Sequence, residues 1–111
     1  MAPRYTGDLT FYTGQKAASG DNSVVAAPGA NKRLVVEFIE VQNATAVSTT
    51  TVLKDGSTAK YTLLNHTQGA AARLEFEPQR EWRLTANAAL VVNLSGANSH
   101  NVNVRYWVEE V

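Results

Sequence analysis

Residues 101–111 read NVNVRYWVEEV. Val102, Val104, Tyr106 and Val108 recur at every second position, with Asn101, Asn103, Arg105 and Glu109 between them. Successive side chains of an extended chain point to opposite faces, so a period of two separates the two sets. The pattern is that of a half-buried strand, apolar toward a core and polar toward solvent. Trp107 breaks it, because the indole stands where the alternation asks for a polar residue.

The same period extends upstream. Segment 90–94 groups Leu90, Val92 and Leu94, and segment 73–77 sets Leu74 and Phe76 against Arg73, Glu75 and Glu77. Trp82 and Leu84 form a further pair. The run RLVVEFIEVQ (33–42) is apolar on both faces: Leu34, Val36 and Phe38 fall on one, Val35, Ile39 and Val41 on the other. Such a strand is expected to be central. Asp55-Gly56 lies between two strand-like runs, a strong hairpin signal that predicts a type I′ turn. The helical rival, residues 69–84, is rich in Ala, Arg, Leu and Glu, but Pro78 stands in its middle. About six to eight strands at roughly ten-residue spacing predict an all-β, jelly-roll-like antiparallel sandwich.

Residues 1–32 read differently. They hold two of the three prolines, and loop-forming stretches surround short apolar runs. The expected organisation is an extended N-terminal arm and edge structure over 1–32, then a sandwich core over 33–111, within a single domain. Tyr5, Phe11 and Tyr12 give the arm an aromatic character.

The 111 residues suffice for one domain, and 44% hydrophobic content can fill a modest core. Ten basic residues balance ten acidic ones. Binding through nucleic-acid phosphates requires a basic excess, so no direct nucleic-acid partner is expected. There is no cysteine, which excludes disulfides, thiolate nucleophiles and cysteine-ligated zinc. No apolar run approaches the length of a membrane helix and no signal peptide is visible, so synthesis in a cytoplasm and no membrane partner are expected. Asn43, Asn65 and Asn93 begin glycosylation-type triplets, which read as chance in a chain rich in Asn, Ser and Thr.

Catalytic signatures are missing. His66 and His100 lack ligand spacing and read as solvated loop residues. Glu75, Glu77 and Glu81 have Arg73, Arg80 and Arg83 nearby and read as ion pairs on a solvated face. No serine lies in a nucleophile-elbow motif, and no glycine-rich phosphate loop occurs. The expectation is no enzyme, no cofactor and no metal. Trp107 and Arg105 on the polar face of the last strand, with Tyr5, Phe11 and Tyr12, are the candidate partner-contact residues, since Trp and Arg are enriched where proteins meet.

The segments VEFIEVQNA (36–44), TTTVLKDGS (49–57), EWRLTANAALVVNLSGA (81–97) and VNVRYWVEE (102–110) resemble small virion proteins of tailed phages. The size and ending are similar to the capsid staple, or decoration, proteins of epsilon-fifteen-like short-tailed phages, over roughly residues 33–111. The resemblance implies a jelly roll on the outer capsid surface that bridges neighbouring major capsid subunits, often as a homodimer, and strengthens the shell. It carries no catalytic residues. A carbohydrate- or receptor-binding sandwich is the alternative, with Trp107 as its aromatic platform.

Overall fold

The structure is a computed structural model that describes residues 9–65 and 67–111. Its strands are β1 (Thr10–Lys16), β2 (Gly20–Val25), β3 (Lys32–Asn43), β4 (Thr49–Asp55), β5 (Thr58–Asn65), β6 (Ala71–Glu75), β7 (Trp82–Arg83), β8 (Leu90–Leu94) and β9 (His100–Glu110). They form two sheets. Sheet A has the order β1-β9-β3-β6, with β7 also paired to β3, and sheet B has the order β2-β8-β4-β5. Every pairing is antiparallel.

The topology is one long hairpin rolled up. Strand β4 pairs with β5, β3 with β6, β2 with β8 and β1 with β9, each pair outside the last. Rolling brings β3 against β9 and β4 against β8, which closes the two sheets. This strand order is a jelly roll, as the period-two pattern predicts. The stretch 10–25, read as arm and edge structure, supplies one edge strand to each sheet. Val24 of β2 belongs to the core. The rival helix is absent, and β6 and β7 occupy its span on either side of Pro78.

The core between the sheets is aliphatic. Leu34, Val36, Ile39, Val41, Val102 and Val104 come from sheet A, and Leu53, Leu90, Val92 and Leu94 from sheet B. Tyr106 and Val108 pack against it, so the inner face of β9 is the one its alternation marks. Trp82 closes one side, with the Tyr61 ring edge-on to it at 5.2 Å and Phe76 beyond.

Strand β3 departs from simple alternation. Val36 pairs with Tyr106 and Phe38 with Arg105, so Glu37 is an extra residue opposite β9. A bulge of this kind shifts the phase by one residue. Leu34 and Val36 therefore share the core face with Ile39 and Val41, and Phe38 turns outward, which corrects the face expected for it.

The expected hairpin is present, with its turn one residue later than expected. Asp55 pairs with Thr58, leaving Gly56 and Ser57 as the central residues. Gly56 has φ 59°, and Ser57 is not among the residues with positive φ. These signs fit a type II′ turn, with glycine at its first central position, rather than type I′. The Asp55 carboxylate accepts from the Thr85 amide at 3.0 Å and its hydroxyl at 2.9 Å, tying the turn to the loop before β8. A side chain at Gly56 would meet nothing closer than Ala88 at 3.6 Å, so the cost of Gly56→Ala lies in the backbone. Urea unfolding should show a loss of about 1 kcal/mol. An unchanged midpoint would mean that Gly56 does not hold a positive φ in this turn.

Candidate functional site

The outer face of sheet A carries side chains in rows, because its strands are in register. Phe11, Arg105 and Phe38 form one row across β1, β9 and β3, continuing to Glu75 on β6. The Arg105 guanidinium lies 4.7 Å from the Phe38 ring centroid, and Arg73 approaches the same ring at 5.9 Å. Such cation–π contacts hold flat, polarisable groups against one another. Arg105 also pairs with Glu37 of the bulge at 3.7 Å. The extra residue thus places an aromatic and a carboxylate around one arginine. Phe11 is 67% exposed at the edge of the row.

Polar rows lie on one side of it. The Thr13 hydroxyl donates to Asn103 at 2.6 Å, Asn103 donates to Glu40 at 3.2 Å, and Arg73 donates to Glu40 at 3.1 Å. In the next row Gln15 donates to Asn101, and Asn101 to Gln42, each at 3.3 Å. On the other side are Trp107, Val35 and Arg83, which are register neighbours. Glu109 pairs there with Arg33 and with Arg83 at 3.4 Å, and Arg83 reaches Glu81 at 3.3 Å. The face is an ordered surface of amides, ion pairs and a phenyl ring approached by two arginines.

The expected contact residues divide. Phe11 and Arg105 are brought together as direct cross-strand partners. Tyr12 lies on the opposite face of β1, packed against the core, with its ring over Gly14. Tyr5 lies outside the described residues. Trp107 is on the predicted face but is 0% exposed, so it is corrected from a presented contact to a buried residue of the chain. Its row neighbour Val35 is equally buried. Residues on the outer face of a sheet can form a small apolar cluster of their own, which parity alone does not reveal. Phe38 was missed as a surface residue because its face depends on the bulge.

Other expectations change as well. His100 is a fully buried strand residue rather than a solvated loop residue, and Glu81 is buried, accepting from the Gln79 amide at 3.0 Å. His66 lies outside the described residues. The amides of Asn43 and Asn65 are fully buried and donate to backbone carbonyls, so neither is accessible for glycosylation in the folded chain. Among the described residues, no group of three or more His, Cys, Asp or Glu side chains is placed to hold a metal ion.

On sheet B, Asp21 accepts from the Asn93 amide at 2.7 Å and from Lys54 at 3.0 Å. These contacts, the Asn93 hydrogen bond first, hold its carboxyl below the usual carboxylate range. A depressed value in the folded state adds stability above the ordinary carboxylate range, and that contribution is lost as pH falls through the lowered value. The group is exposed, so the effect on folding is small. Asn93→Ala should raise the Asp21 titration midpoint followed by carboxyl NMR. An unmoved midpoint would assign the shift to Lys54 instead.

No family model matches the chain, and no curated protein matches it.

Proposed function

We propose that this chain is a non-enzymatic structural protein of a phage virion. It binds the outer capsid surface after synthesis in the host cytoplasm and bridges neighbouring major capsid subunits, which stabilises the shell. The observation that carries this reading is the Phe11–Arg105–Phe38 row, aromatic and arginine side chains aligned across the outer face of sheet A. Aromatic and arginine side chains anchor protein interfaces, and the flanking amide rows offer hydrogen bonds over a wide area. The neutral net charge limits repulsion between many copies on one shell. Strand β1, which supplies Phe11 to this row, lies at the edge of sheet A, a position from which antiparallel pairing joins two copies into a dimer. Nucleic acid and membrane are not partners in this reading, and no cofactor is used. The carbohydrate-binding alternative is weakened because its intended platform, Trp107, is buried.

The test is co-sedimentation with capsids stripped of outer proteins. The parent should bind, and Phe11→Glu should bind roughly thirty-fold more weakly, the equivalent of about 2 kcal/mol at an interface anchor. Its melting temperature should be unchanged, because Phe11 is exposed. Parent-like binding of Phe11→Glu would remove the row from the interface. Failure of the parent to sediment, with glycan-array binding instead, would favour the carbohydrate reading.

A further inference from the structure

One end of the sandwich is built unlike the rest of the core. Three connections cross there between the sheets, their described parts being residues 44–48, 67–70 and 95–99. The strand ends beneath them are Asn43 and His100 in sheet A, and Thr49 and Asn65 in sheet B. All four are at most 2% exposed, and Thr51, one step further in, is 0% exposed. A polar layer therefore underlies the loops where an aliphatic one would be the simpler solution.

Most of this layer is satisfied internally. Asn43 donates to the carbonyls of Val47 at 2.6 Å and Asn65 at 3.2 Å, and accepts from the amide and hydroxyl of Thr45. Asn65 donates across the sandwich to the Val41 carbonyl at 3.3 Å. Asn98 donates to the Thr49 hydroxyl at 3.1 Å, and its carbonyl lies 2.7 Å from His100 Nδ1. A carbonyl can only accept, so Nδ1 carries the proton, and in that tautomer Nε2 is an acceptor. Three atoms of the layer have no partner among the described residues: His100 Nε2, Asn65 Oδ1 and Thr51 Oγ1. Buried polar atoms left unpaired are costly, and a concentration of them within one layer points to a polar occupant.

We propose that this layer holds an ordered water molecule. It donates one hydrogen bond to His100 Nε2 and one to Asn65 Oδ1, and accepts one from the Thr51 hydroxyl. The donor count matches: two acceptors and one hydroxyl donor use both protons and one lone pair of a single water. Buried waters in proteins make about three hydrogen bonds of this kind. The water would join sheet A, through His100, to sheet B, through Asn65 and Thr51, beneath the three loops. A metal ion is a poorer occupant, because the three atoms supply no carboxylate or thiolate.

The experiment is NMR of the intact protein. Long-range proton–nitrogen spectra should show His100 protonated at Nδ1. Water–protein cross-relaxation should give peaks at the His100 ring and the Thr51 methyl, with the sign of a long-lived bound water. Thr51→Val keeps nearly the same shape and should lose these peaks while remaining folded. An Nε2-protonated ring, absent water peaks in the parent, or peaks that persist in Thr51→Val would each overturn the three-point site. A high-resolution crystal structure with the three side chains in direct contact would overturn it equally.

Discussion

Replacing Trp107 with alanine should lower folding stability by about 3–5 kcal/mol, the range for truncating a large buried aromatic. For a domain of this size the melting temperature should fall by on the order of 15 °C. The alternation of the last strand argues for the opposite outcome, a surface aromatic whose loss costs little. Burial decides between them, because the side chain is 0% exposed although it lies on the outer face of sheet A. Val35, its cross-strand partner, is buried with it, so the truncation opens a cavity between packed groups. Trp107→Phe should recover much of the loss by refilling part of that volume. An alanine variant that melts with the parent would show that the indole is not part of the folded chain's packing.

Val104→Asp should be at least as damaging, at about 4 kcal/mol or more, and is expected to yield little soluble protein. Val104 is 2% exposed on the inner face of β9, between Tyr12 of β1 and Ile39 of β3. A carboxylate placed there meets the aliphatic groups of the core, and the arginine of this strand, Arg105, lies on the outer face. Val104→Ala, which leaves a cavity without a charge, should lose less. Equal stabilities of the two variants in urea would show that charge burial is not the source of the effect.

How much of this was legible in the sequence depended on which physical rule governed each position. Period two located β9, β8 and β6 and chose their core faces, because in each the apolar residues recur at every second position on the side that meets the core. It failed on β3, where the run from Leu34 to Val41 is apolar on both faces and therefore carries no phase. The signal was present as a conflict: Leu34 and Val36 fall out of step with Ile39 and Val41 unless one residue between them is left unpaired. Glu37 is that residue. The strand order could not be read locally, since the pairing of β1 with β9 joins the two ends of the described chain.

The candidate site was half legible. Alternation placed Arg105 outward, and the register then made Phe11 of the arm its neighbour. Tyr12 falls on the inner face by the same parity, one residue along. Trp107 was placed on the correct face with the wrong exposure, because parity reports direction and not depth. His100 was misread for a related reason. A histidine between Ser99 and Asn101 looks like a loop residue, yet it opens β9 opposite Asn43 and is fully buried at that end of the sandwich. Asn43 and Asn65 carry the same lesson, as polar residues that close the end of a core through hydrogen bonds to backbone.

In the proposed function, sheet A presents its Phe11–Arg105–Phe38 row to a capsid. Cryo-electron microscopy of phage particles that carry this chain tests it most directly. The expected result is density for the sandwich on the outside of the shell, spanning neighbouring major capsid subunits, with the Phe11 row in contact. Absence of the chain from the particle, or attachment through the outer face of sheet B with the Phe11 row turned to solvent, would contradict it.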